Sequence, residues 1–472
     1  MAGNESTIGI TVKKSQDISE WYSQVVQKAE LADYSSVSGC MVLRPASYAI
    51  WERIQKDFDQ RIKKTGHQNV YFPLLIPESL LKKEEEHIQG FSPEVAWVTM
   101  AGTTKLAEPL AIRPTSETIM YESYAKWIRS WRDLPLLLNQ WCNIVRWEFK
   151  YPKPFLRTRE FLWQEGHTAH ATKEEAEQEA QAMLKEYVDL VENLLAIPVI
   201  SGRKTESEKF AGAVYTLTLE SLMPDGKALQ MGTSHFLGQN FAKAFNINFL
   251  DKDNANKQVW QTSWGISTRL IGAMILVHGD DKGLVIPPKV APLQAVIIPI
   301  LFEKDKTIVL EEAEKLKKRL EKHFSVYLDD RDYSAGWKFH DHELKGVPIR
   351  IEIGPKDVEK KQAVVVRRDG KKDFVPEADI IPFIEKSMEE LQEHLFAKAK
   401  KFLHDHLKEA KGMDELEKAV EEGNLAKAAF CDEAEKLIKE KTGATSRCLL
   451  PGHGPCIHCK KESPIAYFGR SY

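Results

Sequence analysis

Val145-Arg146-Trp147-Glu148-Phe149 runs through Lys150-Tyr151-Pro152-Lys153-Pro154-Phe155 and returns as Leu156-Arg157-Thr158-Arg159-Glu160-Phe161-Leu162-Trp163-Gln164-Glu165-Gly166-His167. Two prolines in a short basic segment mark a turn, and the flanking stretches read as strands, so the whole predicts a β-hairpin. Alternate side chains of a strand share a face, which puts Arg159, Phe161, Trp163, Glu165 and His167 together. A cation, two aromatics, a carboxylate and an imidazole make a poor apolar core and a sensible small-molecule site. An amphipathic strand with a wet polar face would instead expose Phe161 and Trp163 along with the charges.

Arg146 gains meaning from a second arginine, Arg269, in Ser263-Trp264-Gly265-Ile266-Ser267-Thr268-Arg269-Leu270-Ile271-Gly272. Arginine keeps its charge at neutral pH and its planar fork takes phosphate oxygens two at a time. Two of them on one nucleotide can therefore stabilise phosphoryl transfer without moving a proton. Taken singly, neither is informative, since most arginines are solvated surface groups.

These stretches resemble motifs 2 and 3 of the class II aminoacyl-tRNA synthetases, and within that class the chain is similar to the prolyl-tRNA synthetase family of archaeal and eukaryotic type. The resemblance runs from Asp17-Ile18-Ser19-Glu20-Trp21-Tyr22 to Phe468-Gly469-Arg470-Ser471-Tyr472. Its most specific pieces are Arg113-Pro114-Thr115-Ser116-Glu117-Thr118, Phe155 to His167, Gly232-Thr233-Ser234-His235 and Lys345-Gly346-Val347-Pro348-Ile349-Arg350. It implies an α+β catalytic domain built on an antiparallel sheet over residues 1–285. An α/β anticodon-binding domain over 286–400 and a small C-terminal zinc-binding α/β domain over 401–472 follow.

The resemblance also implies the chemistry: activation of L-proline by ATP with Mg2+, then transfer to tRNA(Pro). Arg146 and Arg269 would be the catalytic pair, one on the α-phosphate and the substrate carboxylate, the other on the γ-phosphate of a bent nucleotide. Phe161 would stack on adenine, Glu148 accept its amino group and Thr158 lie beside the base. Gln230, Thr233 and Ser267 complete the ATP set, and Glu220 is implied as a magnesium ligand. Proline needs a carboxylate for its ammonium and a close apolar wall. Thr115, Glu117, Arg146, Trp163, Glu165, His167, Phe91, His235, Ser263 and Gly265 match that pocket. The chain departs from the family at Ser267, where a threonine is usual, and at Met231, where some members carry glycine; serine keeps the hydroxyl.

At 472 residues the chain is long for one core, and 43% hydrophobic with 29% charged residues is ordinary for a globular enzyme. Its 66 basic and 69 acidic residues leave a net charge of -3. That balance neither demands nor excludes nucleic acid, which needs only a local basic surface. No apolar run is long enough to span a membrane, and Met1-Ala2-Gly3-Asn4-Glu5-Ser6 lacks a signal-peptide pattern, so a cytoplasmic location without membrane contact is expected.

Ile50, Trp51, Ile54, Phe58 and Ile62 recur at helical spacing over Ser47 to Lys64, and Val70 to Pro77 reads as the strand that follows. This pair resembles motif 1, which implies a homodimer. Lys173 to Ala196 predicts a second amphipathic helix. No large extra domain separates motifs 2 and 3, so editing in cis is not expected. Shortening a substrate by a few methylenes costs only about 1 to 3 kcal/mol of discrimination, so alanine and cysteine are expected misactivations.

After Ile286-Pro287-Pro288 strands alternate with helices, which predicts a separate domain with a parallel or mixed sheet. By resemblance it reads the anticodon through Glu343, Arg350, Lys356 and Asp357, groups suited to guanine edges; on residues alone, Arg350 and Glu352 read as a solvated strand face. Cys40 and Cys142 lie in apolar surroundings. Cys431, Cys448, Cys456 and Cys459 gather near the end, closing on a C-x-x-C knuckle that favours structural Zn2+ over disulfides, with His453 and His458 as alternative ligands.

Two other classes compete. A synthetase-like binding protein without activity would be expected to lose Arg146, Glu148, Phe161 or Arg269, and all remain. A threonine enzyme would need a core zinc site whose Cys/His set is missing, and a glycine or histidine enzyme would not need Trp163 with Glu117 and Glu165.

Overall fold

The computed structural model describes residues 9–87, 94–148 and 151–472. Its spine is an eleven-stranded sheet. In spatial order the strands are Gln68–Asn69, Leu136–Val145, Glu160–His170, Trp260–Ser267, Ala228–Gly238, Tyr215–Leu222, Ile200–Arg203, Thr445–Pro455, Glu462–Gly469, Leu425–Ala429 and Leu407–Glu409. Neighbours are antiparallel except at the two ends, where Gln68–Asn69 and Leu407–Glu409 pair in parallel. The hairpin read from the sequence is present, with Val145 opposite Glu160 and Leu136 opposite Ala169.

One face of this sheet is apolar and covered by helices. Pro45–Lys64 starts with proline in its first turn, where the missing N–H costs nothing, and buries Ile50, Trp51, Ile54, Phe58 and Ile62. Lys173–Asp189 is closed at its start by a Thr172/Glu175 capping box and continues as a π turn through Leu194. Phe58 stacks on Tyr187 at 5.0 Å and meets Trp264 edge-on at 6.2 Å. Trp264 lies opposite Gly166, and a Cβ there would stand 2.1 Å from the indole, so only glycine admits the ring.

The alternate residues of the same strands face the other way and carry the polar groups. Arg159 does not join them, contrary to the parity expectation. It precedes the strand, its guanidinium lies 4.4 Å from the Trp147 ring, and its Nη1 donates to the Ser38 carbonyl at 2.9 Å.

Residues 295–376 form the expected mixed sheet, in the order Val326–Leu328, Ala295–Pro299, Ile349–Ile353, Gln362–Arg367 and Lys372–Pro376. The first three are parallel and the rest antiparallel. The expected domain limit at residue 400 falls inside the helix Ile380–Asp405, whose buried stripe Ile384, Met388, Leu391, Leu395, Ala399 and Leu403 runs past it.

The C-terminal segment is not a detached module. Its strand Thr445–Pro455 joins the catalytic sheet where Leu449 pairs with Arg203. Gly202 makes that approach possible, since a Cβ there would come within 2.6 Å of the Leu449 carbonyl oxygen.

Candidate active site

The polar face of the central strands lines a cavity of about 450 Å³. Its construction follows from register. His167, Ser263, His235 and Thr216 form one row across four strands, and Glu165, Gly265 and Thr233 form the next. Trp163 stands opposite Ser267. Directly opposed residues place their side chains within contact distance, so groups far apart in sequence converge.

At one end lie the two arginines. The Nε of Arg146 donates to the Pro114 carbonyl at 3.0 Å, and its guanidinium sits 5.8 Å from the Phe161 ring and 5.5 Å from that of Trp163. Arg269 begins the helix Arg269–His278 and its Nη1 donates to the Gln230 carbonyl at 3.4 Å. The Ser267 hydroxyl accepts from the backbone N–H of Arg269 at 3.3 Å, so serine keeps the hydroxyl contact. Among the described residues neither arginine makes an ion pair. Burial lowers the proton affinity of both, with Glu148, Glu117 and Glu165 opposing it at Arg146. At Arg269 burial, reinforced by Arg146, brings the value down to about 10. Both stay charged at neutral pH, and among the described residues no carboxylate closes on either as an ion pair.

At the other end lie carboxylates. Glu117 opens the helix Glu117–Trp127 and takes the Thr115 hydroxyl. Glu165 accepts from the Ser116 hydroxyl, from Gln140 Nε2 at 2.9 Å and from His167 Nε2 at 3.0 Å. Burial alone would raise Glu165, but the bonds from His167, Ser116 and Gln140 outweigh it and hold the carboxyl below its usual range. Burial opposes the charge on His167, while Glu165 and Glu117 raise it above the histidine norm. His235 takes the opposite course: burial, with His167 nearby, brings it down to about 3, so it is neutral. Its ring nitrogens lie 2.9 Å from the Thr216 hydroxyl and 3.0 Å from that of Thr233. The buried Ser263 hydroxyl has no partner among the described residues and borders the cavity. An orphaned polar group in a cavity wall suits a polar ligand.

The cavity thus brings together Thr115, Glu117, Arg146, Glu148, Phe161, Trp163, Glu165, His167, Gln230, Thr233, His235, Ser263, Gly265, Ser267 and Arg269. Thr158 is buried but off this wall, and Phe91 lies outside the described residues. Sequence reading missed Glu208, Lys209, Phe210 and Ala211, which form part of the rim. Phe210 packs on the His235 ring at 4.7 Å; an aromatic inside a charged loop was the available signal.

Glu220 is not free to hold magnesium. It is fully buried, and Lys204 and Arg447 both bridge to it. A carboxylate already neutralised twice does not suit a hard cation that demands near-octahedral oxygens.

Of the four C-terminal cysteines, three converge. Cys431, Cys456 and Cys459 place their sulfurs within 4.8 Å of one another, with 3.7 Å between Cys456 and Cys431. The donor set suits a soft metal such as zinc. Cys448 is separate: it is buried in the sheet against Gly202, and burial, with Glu220 nearby, pushes its thiol up to about 12. The four-cysteine set is therefore corrected to three. His458 Nε2 lies 3.6 Å from Glu433.

The expected anticodon residues have partners of their own. Glu343 binds Lys282 at 2.8 Å, and Arg350 binds Glu352 at 2.9 Å and lies over the Phe339 ring. Asp357 accepts from the Gly354 N–H at the start of the helix Pro355–Lys360, and Lys356 is exposed.

Residues 100–278 match the class II core domain of the tRNA synthetases (G, H, P, S and T), and residues 294–391 match an anticodon-binding domain. Fold and cavity therefore define a class II aminoacyl-tRNA synthetase. Residues 413–472 match the C-terminal domain of prolyl-tRNA synthetase. The chain is 53% identical over 480 residues to a proline–tRNA ligase of Natranaerobius thermophilus, covering 99% of each. It is 53% identical to one of Ruminiclostridium cellulolyticum, covering 100% of each. It is 54% identical over 474 residues to one of Cenarchaeum symbiosum, covering 98% of this chain and 100% of that protein. The chain belongs to the proline–tRNA ligase family.

Proposed function

We propose that the chain activates L-proline with ATP to prolyl-adenylate and pyrophosphate, then transfers the prolyl group to the 3′ end of tRNA(Pro). One observation carries this reading: a single cavity holds at one end two arginines that are not ion-paired among the described residues, and at the other buried carboxylates beside a histidine. The first end suits polyphosphate, the second a secondary ammonium.

In the reaction a proline carboxylate oxygen attacks the α-phosphorus and the bond to pyrophosphate breaks, with both electrons leaving on pyrophosphate. The step needs alignment and charge neutralisation more than a base. Arg146 holds the α-phosphate and the carboxylate, and Arg269 the γ-phosphate. Phe161 and Glu148 take the adenine; Gln230, Thr233 and Ser267 line the nucleotide end. Glu117 and Thr115 receive the ammonium, while Trp163, His167, His235, Ser263 and Gly265 close the ring pocket around Glu165. Mg2+, bound with ATP, would neutralise part of the phosphate charge. Cys431, Cys456 and Cys459 would hold a structural Zn2+, which ties a turn to a helix start when bound.

The region 286–400 is proposed to read the anticodon through Glu343, Arg350, Lys356 and Asp357. A homodimer is supported by exposed Tyr34, Val37, Val42, Tyr48, Tyr71 and Leu75 around the Pro45–Lys64 helix. Among the described residues no helix is long and apolar enough to cross a membrane, and the proposed place of action is the cytoplasm. Residues 171–259 supply sheet strands and covering helices with no separate domain, which supports the archaeal and eukaryotic type without cis editing. Alanine and cysteine are the expected misactivated substrates.

ATP–pyrophosphate exchange across the amino acids tests the reading. Proline-dependent exchange is expected, and Arg146→Lys lowers it by on the order of a hundredfold or more, because a point charge cannot replace the fork. Exchange on threonine or histidine in place of proline would overturn the specificity, and none on any amino acid would favour a binding protein.

A further inference from the structure

We infer that Arg447, from the C-terminal segment, is a positioning residue for the nucleotide: by occupying Glu220 it leaves Arg269 free for polyphosphate. The inference rests on the adenylation reading, which assigns Arg269 to ATP.

Glu220 sits wholly buried on the strand Tyr215–Leu222. Its Oε1 accepts from Lys204 Nζ and from the Thr218 hydroxyl, each at 2.8 Å. Its Oε2 accepts from Arg447 Nε at 3.1 Å and Nη2 at 2.7 Å. A carboxylate offers about four lone-pair sites, so this one is saturated. The third nitrogen of Arg447 donates to the Thr445 hydroxyl at 3.0 Å, which fixes the fork.

Two irregularities of the sheet build this contact. Ser446 pairs with Phe468 and Cys448 with Tyr467, which leaves Arg447 as the extra residue of a bulge. Bulges turn a side chain out of the regular alternation. Across the sheet Leu219 pairs with Gly232 and Glu220 with Gln230, leaving Met231 as a second extra residue. Gln230 is the residue whose carbonyl accepts from Arg269. Glu220 is therefore one cross-strand step from the backbone that holds the nucleotide arginine, and its charge is felt at Arg269.

A buried carboxylate that loses a partner seeks another cation. Without Arg447, Glu220 keeps Lys204 but has one oxygen empty. Arg269, with no carboxylate of its own among the described residues, is the cation that can answer it. Arg447 prevents that capture, and with Lys204 it leaves the cluster one positive charge in excess beside the polyphosphate end.

The test uses full-length protein and calorimetric titration of ATP alone and of proline alone, so it does not depend on exchange. Arg447→Gln should weaken ATP by on the order of tenfold while proline affinity stays within about twofold. Arg447→Lys, which restores the charge, should recover most of the loss. So should Glu220→Gln combined with Arg447→Gln, because no carboxylate remains to capture Arg269. Unchanged ATP affinity in Arg447→Gln overturns the proposal, as does an equal loss for ATP and proline. If that variant does not fold, the double variant decides: wild-type ATP affinity supports the role and weakened ATP refutes it. Wild-type protein that binds ATP but exchanges no proline would fail the adenylation reading and leave this comparison standing.

Discussion

His167 and His235 show how neighbours set opposite charge states on one wall. His167 faces Glu165 and Glu117, which raise its proton affinity above the histidine norm against the cost of burial; His235 has only hydroxyls at its nitrogens and stays neutral. Because the folded value of His167 is raised, its contribution to stability is complete below the ordinary histidine value near 6.5. It is lost as pH rises through the raised value. Glu165, lowered, contributes above the ordinary glutamate value and loses that share as pH falls through the lowered one. The deficit in melting temperature of His167→Gln should therefore be largest in mildly acidic buffer and shrink toward alkaline pH; a deficit that grows with pH would refute the charge pair. Phe161, Trp163, Glu165 and His167 were legible because strand parity is fixed by backbone geometry. Arg159 shares the parity but not the strand, so the rule had no hold on it. Glu208 to Ala211 escaped a reading by period, because a loop wall has none; the aromatic Phe210 in a charged loop was their one signal.

Elements were legible wherever a repeat of apolar residues marks a face, as in Pro45–Lys64 and Lys173–Asp189. What a spacing pattern does not report is which residues of different elements meet. The four C-terminal cysteines looked equivalent, yet Cys448 lies within a strand beside Gly202, while Cys456 and Cys459 bracket a turn facing Cys431. Cys448→Ala should accordingly keep a full complement of zinc, and Cys431→Ala or Cys456→Ala should lose it, as read by metal analysis of freshly purified protein. Loss of metal from Cys448→Ala would restore the four-cysteine set. Gly202 offers the complementary test on the sheet itself. Its Cβ would meet a backbone oxygen at 2.6 Å, and a backbone atom cannot rotate aside as a side chain can. Gly202→Ala should cost about 1 to 3 kcal/mol in denaturant unfolding, in line with forced overpacking. A change below about 0.5 kcal/mol would mean the strands separate there with ease.

The three regions announced themselves in sequence by changes of pattern, but their joints did not, because a joint is made of contacts between distant segments. The helix Ile380–Asp405 leaves the mixed sheet and packs Leu403 with Leu222, Ala228 and Leu425 at the far side of the catalytic sheet. The C-terminal strands then extend that sheet past Ile200–Arg203, and Arg447 closes on Glu220. A chain ending at Asp405 would keep Leu403 but lose Leu425, the C-terminal strands and Arg447 at once. The edge of Ile200–Arg203 would become an unpaired strand, Leu222 and Ala228 would lose Leu425 from their apolar cluster, and Glu220 would keep one cation of two. Exposed strand edges and apolar patches drive association, and breaking a buried ion pair from one side costs about 3 to 5 kcal/mol. The truncated protein should therefore elute from size exclusion as aggregate and show no proline-dependent exchange, even though Arg146, Arg269 and the whole cavity wall remain in its sequence. A monodisperse truncated chain with undiminished exchange would show that the catalytic sheet is complete without its last four strands.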